Sequence, residues 1–406
     1  MSAIRESAWR AGRGAFFCLK ANAPDVENPL SCLERDIVPE KPPRSAAIAL
    51  AQILLRPRAQ TQEDAMASDS PLPIIFDHMR ISISFYCNLH CDHCYVPEEY
   101  RDQYKRLLEP SQLSVEEITN FLDLLVDEHS LRKVTVTGGE PLLKIVFPRS
   151  AALMAYANKR GLHVQLNTGG LGQVPIPDVV SIFDEREKLV FQFSFDGANK
   201  DTVDRFRRKP GVYESALRQM HEAVNRGALV QARMTANRHN IGEALDAYRL
   251  LSSIGVDSFK IRPMFAAGVA IDNEDALLGS AEEIRELQEA LIAMAAQTST
   301  RLELPPPIFV DTTEPRPNVK YIECNCGVAS GYLSTNGDLY PCVYVVGDPD
   351  SHEFLVGNIR SAGFDLETAW RTSPALKKYR ANSGCAQCPT QVALLKNVEN
   401  RALACA

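Results

Sequence analysis

Three cysteines stand at CxxxCxxC spacing in Cys87-Asn88-Leu89-His90-Cys91-Asp92-His93-Cys94, directly after an apolar, alternating run. Three thiolates on one short loop can converge on a single metal centre. That is one ligand short of the four that a closed zinc site or a fully cysteine-ligated iron–sulfur cluster takes. On a [4Fe–4S] cluster the vacancy opens one iron to an outside ligand. The competing reading is a structural zinc site completed by His90 or His93.

A second group of cysteines lies far downstream. Cys326, then Cys342 ending Gly337-Asp338-Leu339-Tyr340-Pro341-Cys342, then Cys385 and Cys388 in CxxC spacing supply four thiolates, enough to close another [4Fe–4S] cluster. Asn336-Gly337 between two β-rich runs predicts a tight hairpin that brings Cys326 and Cys342 together. Cys324 and Cys405 are further candidate ligands, and Cys18 and Cys32 read as free thiols. A zinc knuckle is the bland reading of the whole group.

Between the groups lie three motifs. Gly138-Gly139-Glu140-Pro141 follows a strand-like run, and its glycines let the backbone approach a ligand closely. Ser194-Phe195-Asp196-Gly197 ends another such run, where alternation places Ser194 and Asp196 on one face. Arg233, inside an apolar run, wants a carboxylate partner. Asn167 is a weaker candidate of the same kind, and Arg262 ends a later run facing substrate or solvent. Taken singly, each motif also reads as a strand-end turn, a helix cap or an internal salt bridge.

Taken in order, from about residue 80 to 389, these motifs resemble those of radical SAM enzymes with a SPASM or twitch auxiliary domain. The resemblance implies that Cys87, Cys91 and Cys94 hold a [4Fe–4S] cluster whose open iron is completed by S-adenosylmethionine. It also implies reductive cleavage to a 5′-deoxyadenosyl radical that abstracts a substrate hydrogen. Gly138, Gly139 and Glu140 match the GGE motif, whose backbone groups bind the amino end of the methionine moiety. Ser194 and Asp196 match a segment near the ribose and substrate, and Arg233 would take the cofactor carboxylate. Cys326, Cys342, Cys385 and Cys388 would hold an auxiliary [4Fe–4S] cluster. The full SPASM pattern has two further cysteines where this chain has Leu394 and Val398, so one auxiliary cluster, the twitch arrangement, is expected.

Short β-rich runs at 79–86, 133–137, 164–168, 189–195, 229–235 and 258–262 alternate with helical periods such as 213–226 and 241–253. Ser114 and Ser280, each with Glu three residues on, open helices as capping boxes. The expected fold is therefore α/β, and the resemblance makes it a partial (β/α)6 barrel with a small C-terminal SPASM/twitch-like domain. The expected divisions are an N-terminal extension (1–75), the barrel (76–267), a helical and Pro-rich connection (268–317) and the auxiliary-cluster domain (318–406). The extension lacks the strand and helix periodicity of a leader-peptide-binding module; 46–55 reads as one short helix, and Met66 is a candidate start.

The chain has 406 residues, 51 acidic against 44 basic, and a net charge of −7. A nucleic-acid partner is not expected from that balance. No apolar run is long enough to span a bilayer and no signal peptide is evident, so a cytoplasmic protein without membrane association is expected. Eleven cysteines in clusters favour metal ligation in a reducing compartment over a disulfide scaffold.

Three functions follow. The first is oxidative cross-linking or epimerisation of a ribosomally made peptide, with a flavodoxin- or ferredoxin-type electron donor. The second is dehydrogenation or epimerisation of a small polar substrate such as an aminocyclitol or sugar. The third is a non-catalytic zinc scaffold. Epimerisation needs a hydrogen donor on the other face, and Cys405 is the candidate.

Overall fold

The computed structural model describes residues 74–98, 100, 109–276, 280–381 and 388. Residues 1–73 of the expected N-terminal extension, Cys18 and Cys32 among them, and Cys385, Leu394, Val398 and Cys405 lie outside the described residues.

All six expected strands are present, each followed by at least one helix. In chain order the elements are β1 (His78–Ser84), α1 (Val115–His129), β2 (Lys133–Gly138), α2 (Phe147–Lys159), β3 (His163–Thr168), α3 (Ile176–Val180), β4 (Leu189–Ser194), α4 (Lys200–Phe206) and α5 (Val212–Asn225). They continue as β5 (Leu229–Ala236), α6 (Ala244–Ile254), β6 (Ser258–Pro263) and α7 (Ala281–Ala295). The Ser114 capping box closes as expected: its hydroxyl accepts the Glu117 amide at 3.1 Å, and Glu117 accepts the Ser114 amide at 2.7 Å. Ile118, Phe121, Leu122 and Leu125 then bury one face of α1.

Strands β1 to β6 pair in parallel and in sequence order. Parallel strands covered by apolar layers on both sides read as continuous hydrophobic runs. These strands alternate instead. Ile81, Val134, Val136, Leu166, Phe191, Phe193, Met234 and Phe259 are fully buried in the main core. The opposite face is polar and internally hydrogen-bonded. Lys133 Nζ donates to Gln165 Oε1 (2.8 Å), Gln165 to Asn167 Oδ1 (2.8 Å) and to Gln192 Oε1 (3.2 Å), and Gln231 to Glu303 Oε2 (2.8 Å). A polar inner wall is what a barrel left open for a ligand requires.

The sheet does not stop at six strands. The segment expected as a helical and Pro-rich connection also contains β7 (Arg301–Leu304), which pairs with β6, and β8 (Val319–Tyr321) pairs with β7 in turn. On the other edge β9 (Ser330–Leu333) lies parallel to β1, with His78 opposite Ser330. Beyond it come β10 (Asp338–Tyr340) and β11 (Gly357–Asn358), giving one open sheet of eleven strands. The sheet therefore runs straight across the expected boundary at 317. The hairpin of β9 and β10 forms around Asn336-Gly337 as expected, with Leu333 opposite Leu339. Two last helices, α8 (Leu366–Thr372) and α9 (Pro374–Arg380), follow. Trp370 of α8 packs on Phe76 with ring centroids 4.5 Å apart, tying this end to the start of the barrel. Among the described residues no helix is long and apolar enough to cross a membrane.

Candidate active site

Cys87 follows β1, whose pairing with β2 slips between Ser82 and Ser84. Such an irregularity re-aims the strand end. Gly139 donates to Ser84 O at 2.7 Å and Glu140 to Tyr86 O at 2.9 Å, so the GGE segment clamps the chain immediately before the first cysteine. A Cβ on Gly139 would lie 2.1 Å from Tyr86 O, so only glycine allows this approach. The loop is fastened on three further sides. His90 and Asp92 amides donate to the carbonyls of Arg207 (3.4 Å) and Phe206 (3.1 Å), Val269 donates to Cys94 O (2.8 Å), and Asn273 Nδ2 to Asp92 O (3.1 Å). Residues 268–276, expected as a connection, thus help to hold the cysteine loop.

Cys87, Cys91 and Cys94 belong to one cluster of packed side chains. Burial pushes the Cys87 thiol well up, and Cys91, Glu140 and Cys94 push it further because their negative charges would repel a thiolate. Three thiolates this close stay ionised only against a cationic core, and a [4Fe–4S] cluster supplies one. His90, offered above as a zinc ligand, is exposed and faces Glu98 at 3.7 Å. The His93 ring stacks on Phe206, centroids 4.5 Å apart, and burial lowers its pKa to about 3.

Glu140 is buried and braces the protein. Its carboxylate accepts the amides of Leu142 (3.0 Å) and Gly169 (2.8 Å) and the Thr168 hydroxyl (2.9 Å). Asp196, expected on one face with Ser194, is engaged with the protein itself. It is fully buried, pairs with Arg207, and accepts the Thr235 amide at 2.8 Å. The physical reason is Arg207, which follows α4, is itself 4% exposed and finds its carboxylate there. Ser194 ends β4 opposite Arg233 of β5, as alternation requires. Asn167 joins the polar row through Gln165 and Thr137 Oγ1 (3.3 Å).

Arg233 has no carboxylate partner among the described residues. It donates to the Tyr344 phenol, and its Nε is buried without a partner. Arg262 stacks 3.8 Å from the Phe265 ring centroid and 4.8 Å from that of Tyr344. Burial would push the Tyr344 phenol up, but Arg233 and Arg262 more than offset it and lower its pKa. These residues, with His93, line one narrow cleft.

The second cysteine group assembles on the far side. Cys326 and Cys342 share one buried cluster, with Cys324 packed against it. Hydrogen bonds from Cys324 and Cys342 hold the Cys326 thiol low, and Arg80 adds to this. Cys388 lies near enough to interact with Cys324. Cys324, a secondary candidate in the sequence, thus sits beside the other candidate ligands; its CxC spacing with Cys326 was the available signal. Among the described residues no three His, Cys, Asp or Glu side chains close tightly around one point as ligands of a single ion would. An iron–sulfur cluster instead distributes its thiolates over the corners of a cube. Sequence patterns gave no sign of Arg207 or Tyr344.

The family model of the radical SAM superfamily matches residues 81–278, and the SPASM iron–sulfur cluster-binding domain matches 324–389. The chain belongs to the radical SAM superfamily and carries a C-terminal SPASM domain; the family's cofactors are a [4Fe–4S] cluster, S-adenosylmethionine and auxiliary iron–sulfur. Among its relatives is an AdoMet-dependent heme synthase of Nitratidesulfovibrio vulgaris, 24% identical over 72% of this chain and 78% of that protein. The subtilosin biosynthesis protein AlbA of Bacillus subtilis is 23% identical over 48% of this chain and 40% of its own length. In fold the chain is similar to Streptococcus suis SuiB, solved with its precursor peptide SuiA: TM-score 0.57, 14% identity, 79% of this chain and 71% of SuiB.

Proposed function

We propose that Cys87, Cys91 and Cys94 hold the [4Fe–4S] cluster, that S-adenosylmethionine lies across the ends of β1 to β6, and that a substrate carbon in the barrel interior loses hydrogen. The observation that carries this reading is the loop of three mutually repelling thiols, one donor short, at the C-terminal end of the first parallel strand, where α/β sheets place their ligands. When bound, the cluster and adenosylmethionine supply one-electron cleavage of the sulfonium and hydrogen-atom abstraction. The chain's own residues bind and orient. Gly138 and Gly139 present backbone groups to the methionine end, Arg233, which has no carboxylate partner among the described residues, offers its guanidinium to the cofactor carboxylate, and Ser194 and Asn167 lie toward the ribose. Asp196 acts at one remove, through Arg207. Cys326, Cys342 and Cys388, with Cys324 or Cys385, would hold an auxiliary cluster, which would supply an electron acceptor for an oxidative outcome.

The first reading of the substrate is a ribosomally made peptide, cross-linked or epimerised, as the likeness to SuiB and AlbA suggests. The second is a small polar molecule, favoured by the ordered row of amides and amines on the inner wall. A flavodoxin or ferredoxin would deliver the electron. Anaerobic purification separates this from a zinc scaffold: a brown protein absorbing near roughly 400 nm supports it, and a colourless zinc protein contradicts it. Mass spectrometry of products from the reconstituted enzyme, adenosylmethionine, reductant and candidate substrates then reads the reaction.

A further inference from the structure

The chain is acidic overall, with 51 acidic against 44 basic residues. Its six barrel strands are not. They carry Arg80, Lys133, Arg233, Lys260 and Arg262 and not one aspartate or glutamate. Register places these cations on the polar face. Ser194, Arg233, Lys260 and Glu303 are successive partners across β4 to β7, Arg262 is two residues beyond Lys260, and Arg80 pairs with Thr135, two residues beyond Lys133.

An inward cation costs several kcal/mol in lost hydration unless a counter-charge meets it. Most of these cations have a use. Arg80 donates to Ser330 Oγ at 3.1 Å and faces the second cysteine group. Arg233 is assigned above to the cofactor carboxylate. Lys260 shares Glu303 with Arg301, at 3.4 Å and 3.0 Å. Lys133 donates to Gln165 Oε1 at 2.8 Å, while Arg262 faces Cys388, Cys342, Cys324 and the Tyr344 phenol, has no carboxylate partner among the described residues and, unlike Arg80, lines the cleft. Its Nη2 lies 3.7 Å from Cys388 Sγ, a weak contact, its Nε is buried without a partner, and its plane rests on two aromatic rings that fix it but do not neutralise it. It lines the cleft together with His93, Arg233 and Tyr344.

Resting on the proposed function, in which substrate occupies the barrel interior, we infer that the substrate carries a carboxylate and that Arg262 anchors it. Lys260, about 7 Å further down the same face of β6, is the second cation for an acid with two such groups. The carboxylate belongs either to a small acid or to an acidic side chain of a peptide. A planar guanidinium held flat against Phe265 and Tyr344, with Nη2 turned to Cys388, leaves its Nη1 for a charge-assisted hydrogen bond to that group.

The test uses the full chain with both clusters reconstituted and adenosylmethionine bound. Saturation-transfer NMR measures binding of three probes: succinate, the neutral succinamide and acetyl-Gly-Glu-Gly-amide. Succinate or the peptide is expected to bind and succinamide not to, and which of the two binds more tightly names the source. Arg262→Gln is expected to weaken the carboxylate probe at least tenfold and Arg262→Lys to restore part of the loss. If Arg262→Gln sheds auxiliary iron, Lys260→Gln decides: at least threefold weaker succinate supports the inference, and unchanged affinity of every probe overturns it. Equal binding of succinate and succinamide also overturns it. So does an Arg262→Gln protein that alters the auxiliary cluster's electron paramagnetic resonance yet binds succinate as wild type does. Deoxyadenosine release by wild type is scored separately: release without carboxylate preference sinks this inference alone, and no release sinks the reading beneath it.

Discussion

The Arg207 Nη1 lies 3.6 Å from the Sγ of Cys91, while the other end of the same guanidinium is paired with the buried Asp196. Asp196 is thereby linked to the first cysteine loop through Arg207. A cation beside a ligating sulfur favours the reduced, more negative cluster, and a carboxylate behind that cation weakens the effect.

Two substitutions should therefore move the cluster potential in opposite directions. Arg207→Gln removes the positive charge and shifts the potential negative; Asp196→Asn leaves Arg207 uncompensated and shifts it positive. Redox titration followed by electron paramagnetic resonance checks both. Shifts of the same sign would mean that the pair acts only through packing.

Gly347 lies against the cysteine loop although it is 253 residues beyond Cys94 in the chain. A Cβ there would sit 2.1 Å from Tyr95 O and 2.7 Å from the Gly268 amide. Gly347→Ala is expected to cost about 2 kcal/mol through forced backbone movement. Iron bound per chain at Cys87, Cys91 and Cys94 should fall with it, as measured in a variant lacking the auxiliary ligands. Full iron loading would show that the two segments move independently.

Lys133 gives a pH dependence. Burial first, then Lys260 and Arg80, lower its pKa to about 7, against an ordinary 10.5. Between pH 7 and 10.5 the unfolded chain binds a proton that the folded chain has released, so the buried amine costs most stability at low pH and its cost fades as pH rises through 7. Wild type should gain on Lys133→Met by about 1 kcal/mol between pH 6 and 9, a figure reduced for water entering the open barrel. Denaturant midpoints of both proteins at the two pH values measure this, and a constant difference would place the amine in solvent.

The cysteine groups should separate by function. Alanine at Cys87, Cys91 or Cys94 is expected to abolish adenosylmethionine cleavage and leave auxiliary iron in place. Cys385→Ala should lose product yet keep some uncoupled deoxyadenosine release, and Cys324→Ser should lower auxiliary iron. Iron analysis and chromatography of deoxyadenosine check these, and identical behaviour of both sets would refute the division.

What the sequence revealed depended on range. The six strands were readable because an apolar wall and a polar wall alternate within five to eight residues, and the cysteine loop because its ligands are neighbours. Strand β9 beside β1 was not readable, since nothing local in residues 330–333 names a partner 252 positions earlier. Arg207 was hidden for the same reason: its link to Cys91 spans 116 residues. Asp196 shows the limit of alternation, which assigns a face to a side chain but not the partner waiting there. The cations of the inner wall were each visible in the sequence, but only the register showed that they share one face, on which Glu303 of β7 meets Lys260.

The account stands on an iron that three cysteines hold and adenosylmethionine completes. The direct measurement is electron paramagnetic resonance of the reconstituted, reduced protein before and after adenosylmethionine is added, with deoxyadenosine assayed in the same sample. The account predicts a changed cluster signal and deoxyadenosine release, both lost in Cys91→Ala. An unchanged signal with no deoxyadenosine from the iron-loaded wild type would contradict it.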